Sequence, residues 1–96
     1  MLVLITYDVN TETAEGRKRL ARIAKACTNY GQRVQNSVFE CRLDNTQLVY
    51  VRDMLLGIMD KETDSLRIYN LGNNYANRIE QYGAKLSYDP GGELII

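Results

Sequence analysis

Residues 1–9, MLVLITYDV, form a nearly continuous apolar run that carries the β-branched residues Val3, Ile5 and Thr6. A run of this kind is far shorter than the roughly 20 residues of a membrane span. It has the pattern of a central strand covered on both faces. A central strand needs neighbours and a covering layer, so a chain of 96 residues has to build one sheet and one core around it. The run also takes in Tyr7 and stops on a carboxylate, Asp8. Either Asp8 or Asn10 hydrogen-bonds the free amides of a following helix, or Asp8 is presented to a ligand, because strand ends beside helix starts are common ligand positions.

The helix start is close behind. Asn10, Thr11 and Thr13 are candidate caps, and Glu12 and Glu15 fall where the helix dipole favours acids. Leu20, Ile23, Ala24, Cys27 and Tyr30 recur at helical spacing, and Gly31 stands where a C-terminal glycine ends a helix. Gly16 lies on the apolar side, where a missing side chain lets a neighbouring backbone approach. In residues 31–43, GQRVQNSVFECRL, the alternation phase of Val34 and Val38 gives way to that of Phe39, Cys41 and Leu43. The slip near Gln35, Asn36 and Ser37 predicts a tight turn or strong bulge between two short strands, with one long kinked strand as the alternative.

Asp44 or Asn45 caps a second helix, with Gln47 at capping-box spacing from Asp44. Leu48, Val51, Leu55, Ile58 and Met59 form its apolar face. Residues 60–64 (DKETD) read as a polar connection and 65–71 (SLRIYNL) as a strand, punctuated by Gly72, Asn73 and Asn74. Residues 78–82 (RIEQY) read as a short further strand, and the tail ends on ELII. The order β-α-β-β-α-β predicts an α+β, ferredoxin-like sandwich over residues 1–83. The tail, 84–96, is expected to cover the core or to pair with the sheet of a second subunit, which would protect an exposed apolar strand.

Composition narrows the chemistry. The chain has no histidine, which removes His-based acid/base catalysis, Ser-His and Cys-His pairs and imidazole metal ligands. Carboxylates, hydroxyls and an oxygen-ligated cation are left. Twelve basic and twelve acidic residues cancel, so a nucleic-acid partner has to be argued from local charge. Cys27 and Cys41 form no CxxC pair and read as reduced, buried thiols of a cytosolic protein. No basic leader or small-residue cleavage site precedes the first strand, so no secretory signal is expected.

Local charge is concentrated on the first helix. Lys18, Arg22 and Lys25 share one stripe, the usual pattern of a solvated face, while Arg17 and Arg19 flank the apolar side. Arg17, Arg19 and Arg33 gather near one strand end and could bind phosphates. Asp8 alone is a sparse metal site, although Mg²⁺ often takes only one or two carboxylates with water and phosphate. A two-fold dimer would supply a second copy of Asp8. Tyr7 either stacks on a base or packs under the first helix. Phe39 shares a phase with Cys41 and Leu43, which suits a core or an interface, and Ser37 fits turn chemistry.

LITYDV, the basic helix after it, GQRVQNSVFEC and SLRIYNLG together resemble the CRISPR-associated protein 2 family over roughly residues 1–83. The resemblance implies a ferredoxin-like homodimer whose C-terminal strands pair across subunits. It implies that Asp8 meets its symmetry mate and binds Mg²⁺ or Mn²⁺ for hydrolysis of DNA or RNA, with Asp8 and Tyr7, which matches the residue before the aspartate, as the catalytic residues. Arg17 or Arg19, Arg33, Ser37 and Phe39 match positions associated with nucleic-acid backbone binding or activity. The family also acts as a non-catalytic dimer that bridges the CRISPR adaptation integrase on duplex DNA. A small regulatory module binding a metabolite would fit the fold but would leave GQRVQNSVFEC unexplained.

Overall fold

The computed structural model describes residues 1–83. In chain order they form β1 (Leu2–Asp8), α1 (Ala14–Thr28), β2 (Gly31–Gln35), β3 (Val38–Arg42), α2 (Asn45–Ile58) and β4 (Ser65–Gly72), then a short 3₁₀ turn at Tyr75–Arg78. The sheet order is β2-β3-β1-β4, and every neighbouring pair is antiparallel. This is the ferredoxin-like α+β arrangement expected from the element order. The expected pairing of 84–96 across a dimer lies outside the described residues.

The helices cover one face of the sheet. Val3, Ile5 and Tyr7 of β1 join Phe39 and Cys41 of β3, Ile23, Ala26 and Cys27 of α1, and Val51 and Leu55 of α2 in one buried cluster. Burying each large apolar side chain of this set contributes about 1.5–3 kcal/mol. Side chains alternate across a strand, so Leu4, Thr6 and Asp8 project to the opposite face. β1 is central, as expected, but among the described residues the helices cover only one of its faces. Leu4 and Thr6 are half-buried and Asp8 is exposed.

Local chemistry sets the boundaries. Of the three candidate caps, Thr13 is the one that caps α1, its Oγ1 accepting from Gly16 N at 3.0 Å. Asn10 Oδ1 instead accepts from Glu12 N at 2.9 Å, tightening the loop before the helix. A side chain on Gly16 would strike the Asn10 carbonyl oxygen, so glycine is required where this loop crosses the helix start. Gly31 does not terminate α1. Asn29 is the C-cap, and Gly31 begins β2, where a Cβ would collide with Glu40 O and Cys41 Sγ.

The phase slip resolves into two strands. β2 and β3 join through a turn at Asn36 and Ser37, and the register also shifts between Arg33 and Gln35. A capping box closes α2: Asp44 Oδ1 accepts from Gln47 N at 2.7 Å, and Gln47 Oε1 accepts from Asp44 N at 3.0 Å. Gly72, at φ 75°, is the last residue of β4 and takes the left-handed conformation that ends the strand. The strand expected at 78–82 is absent: Tyr75–Arg78 is a 3₁₀ turn and the backbone after it, although extended at Ile79, finds no ladder partner among the described residues. Among the described residues no helix is long and apolar enough to cross a membrane.

Candidate functional site

Three connections converge at the C-terminal end of β1. Asp8 is the last residue of the β1–β4 ladder, opposite Ser65. The β2–β3 turn lies on the other side of β1, where Tyr7 N donates to Ser37 O at 3.1 Å. The loop between α2 and β4 reaches across as well, since Asp64 Oδ1 accepts from Asn10 N at 3.1 Å. Asp8 therefore stands at a strand end that is fixed from both sides.

Its carboxylate is exposed and has no hydrogen-bond or ion-pair partner among the described residues. Capping does not occupy it, because Thr13 caps the helix and Asn10 serves the loop. An uncommitted carboxylate at a well-defined strand end fits a hard divalent cation, which prefers oxygen ligands. No group of three or more His, Cys, Asp or Glu side chains able to hold a metal occurs among the described residues. Among the described residues, this strand end thus offers a single carboxylate.

Tyr7 points the other way. Its ring is buried in the helix-side core and stacks on Phe39, with centroids 6.2 Å apart and planes at 21°. The phenol donates to Asn36 O at 3.5 Å. Burial pushes the Tyr7 phenol up from its ordinary value, and a hydrogen bond from Arg33 pulls in the opposite direction. Arg33, exposed on β2, also lies 5.1 Å from the Phe39 ring centroid. Phe39 is fully buried. Tyr7, Arg33 and Phe39 thus form one contact group on the helix side, with half-buried Ser37 joined to it through the backbone, while Asp8 faces the opposite side.

The two helix arginines, ambiguous in the sequence, separate clearly. Arg17 is exposed, and its Nη1 donates to Thr11 O at 3.1 Å. Arg19 is committed to Asp64, with Nε at 2.8 Å from Oδ2 and Nη2 at 3.3 Å from Oδ1. Lys18, Arg22 and Lys25 are exposed, leaving a basic stripe beside Arg17. Both thiols are free and buried. Burial pushes Cys27 up to about 11 and Cys41 up to about 12, so they remain protonated and unreactive at neutral pH.

Sequence reasoning missed two features. Asp64, read as part of a polar connection, is the buried charged residue of the described structure. Its partners Arg19 and Asn10 are remote in sequence, and no local pattern marks it. Arg67 and Tyr69 stand opposite Thr6 and Leu4, on the same face as Asp8. Arg67 Nη1 donates to Tyr69 Oη at 3.1 Å. Their alternation with the half-buried Leu66 and Ile68 was visible in SLRIYNL.

Comparison with known proteins adds to this geometry. The family model described as CRISPR associated protein Cas2 matches residues 1–79. The chain is 60% identical over 95 residues to the CRISPR-associated endonuclease Cas2 of Halalkalibacterium halodurans, spanning 99% of each chain. It is 60% identical over 96 residues to the CRISPR-associated endoribonuclease Cas2 of Chlorobaculum tepidum, spanning 100% of each. Among solved structures, Cas2 of Streptococcus pyogenes at pH 6.5 superposes with a TM-score of 0.75 at 55% identity, covering 86% of this chain and 100% of that one.

Proposed function

The chain belongs to the CRISPR-associated Cas2 family, and from that premise we propose that it is a metal-dependent endonuclease of CRISPR adaptation, working as a homodimer in the cytoplasm. The observation that carries this reading is the exposed Asp8 carboxylate, without a partner among the described residues, on the sheet face the helices leave open. In a two-fold dimer, Asp8 from each subunit would hold one Mg²⁺ or Mn²⁺. The chemistry such a cation supplies when bound is a more acidic water and charge neutralisation on the scissile phosphate.

The chain's own residues account for the rest. Asp8 supplies the ligand oxygen. Tyr7, stacked on Phe39, anchors the backbone immediately before Asp8 and holds the Ser37 turn against it. Arg17, with Lys18, Arg22 and Lys25, gives a positive surface for the nucleic-acid backbone, and exposed Arg33 adds a further cation at the turn. Contacts to phosphates position a strand but carry no base information, and relatives of equal identity are named as an endonuclease and an endoribonuclease. DNA and RNA are therefore both candidate substrates.

The basic stripe favours a second reading, in which the dimer bridges the adaptation integrase on duplex DNA and cleavage is dispensable. One assay separates the two. Labelled single-stranded RNA and duplex DNA are incubated with the full chain and Mg²⁺ or Mn²⁺, with and without EDTA. The nuclease reading expects cleavage of at least one substrate, abolished by EDTA. Cleavage that persists in EDTA overturns metal dependence. Retained, salt-sensitive duplex binding with no cleavage of either substrate supports the scaffold.

A further inference from the structure

We propose that Asp64, locked by Arg19, is a positioning residue for Asp8, and that Arg19 acts through this pair and not as a phosphate ligand. The inference rests on the reading of Asp8 as the metal-binding carboxylate and goes beyond it.

The Asp64 side chain is 1% exposed and meets five donors. Oδ1 accepts from Asn10 N at 3.1 Å, Thr63 Oγ1 at 3.2 Å and Arg19 Nη2 at 3.3 Å. Oδ2 accepts from Arg19 Nε at 2.8 Å and Asp60 N at 2.9 Å. Both oxygens are thus used, and the two-pronged guanidinium fixes the orientation of the carboxylate.

The location of this cluster gives it a function beyond burial. Asn10 lies just beyond Asp8 on the same chain, so the bond to Asn10 N sets the path of the backbone leaving β1. Ser65, directly after Asp64, is the residue opposite Asp8 in the ladder. A single side chain therefore holds Asp8 along its own strand and from the neighbouring one. Arg19 comes from α1 and braces the same carboxylate against the helix. A buried ion pair is an inefficient way to gain stability alone, and an apolar pair of similar volume often does as well. Its advantage here is directional: it fixes the backbone on either side of a metal ligand whose own side chain makes no hydrogen bond among the described residues.

The pair also reassigns Arg19. With its side chain 18% exposed and engaged by Asp64, it is poorly placed to meet a phosphate, whereas Arg17, two residues earlier in α1, is exposed. The two arginines should therefore affect different kinetic constants.

The test is steady-state cleavage of the substrate cut by the parent, using full-length Asp64→Asn, Arg19→Gln, Arg19→Lys, Arg17→Gln and Asp8→Ala proteins, with amide hydrogen exchange on each. Asp64→Asn and Arg19→Gln should lower kcat by about 10- to 100-fold, as loss of groups supporting metal ligands does, with KM within about two-fold. Exchange should rise at Val9 and Asn10 while β2 and β3 keep their protection. Arg19→Lys, which keeps the charge on Asp64, should recover much of kcat. Arg17→Gln should raise KM at nearly constant kcat. An unchanged kcat in both Asp64→Asn and Arg19→Gln, or a KM effect alone, overturns the proposal. If Asp64→Asn does not fold, the two Arg19 variants decide it. Full activity in Asp8→Ala overturns the metal-site reading itself. Loss of activity in Asp8→Ala with normal kcat in the other variants overturns only the positioning role.

Discussion

Replacing Asp8 with alanine should lower metal-dependent cleavage by about two to three orders of magnitude, the kinetic equivalent of the several kcal/mol that a catalytic cation supplies. The same change should leave the fold intact. Asp8 is exposed and forms no hydrogen bond or ion pair among the described residues, so its removal falls among surface substitutions worth about ±0.5 kcal/mol. In a domain of this size that is a shift of about 2–4 °C in the unfolding midpoint. Initial cleavage rates and thermal melts on the same preparations give the comparison. Loss of activity together with a large drop in melting temperature would identify Asp8 as a structural group.

The opposite profile is expected for Asp64. Truncation to alanine removes the acceptor for Asn10 N and Asp60 N and leaves the half-buried Arg19 guanidinium without its counter-charge. Removing one partner strands the other's charge and is destabilising, so Asp64→Ala should melt at a distinctly lower temperature than the parent, whereas Asp8→Ala should not. The interaction also has a pH signature. The Arg19 guanidinium holds the Asp64 carboxyl well below the usual carboxylate range, against burial, with the Asp60 and Asn10 amides helping. A carboxylate with a depressed folded pKa contributes its full stability above its unfolded value of about 3.9, and that contribution is lost as pH falls through and below it. The urea midpoint of the parent should therefore fall more between pH 7 and pH 3 than that of Asp64→Asn. Equal acid sensitivity in the two proteins would remove Asp64 from this role.

The parts of the fold with local periodicity were legible in the sequence. The β1 run, both amphipathic helices, the Asp44–Gln47 capping box and the break before Val38 each depend on residues close in sequence. Where an answer needed a distant partner, the sequence was silent or ambiguous. Three residues could have capped α1, and the crossing of the loop over Gly16 leaves Thr13 as the one in place. Gly31 looked like a helix stop but meets a spatial demand from β3. Residues 78–82 read as a short strand, yet a strand forms only where another backbone pairs with it, and none does among the described residues.

The candidate site divides along the same line. Asp8 was visible as a carboxylate on a strand end, but that no described residue engages it became visible only once Thr13 and Asn10 had taken the competing roles. Strict alternation puts Tyr7 and Asp8 on opposite faces, a separation the apolar run concealed by looking buried throughout. Arg17 and Arg19 are near neighbours with the same chemistry in the sequence. Asp64 distinguishes them, and nothing near Asp64 in the chain announces its partners in α1 and the β1–α1 loop.

The central claim, that two chains share one metal through Asp8, is tested most directly by titrating metal-free protein with Mn²⁺ and following the free ion by electron paramagnetic resonance. The account predicts one bound Mn²⁺ per two chains in the parent and loss of that site in Asp8→Ala while the dimer persists. A site of undiminished affinity in Asp8→Ala, or one ion bound per chain, would contradict it.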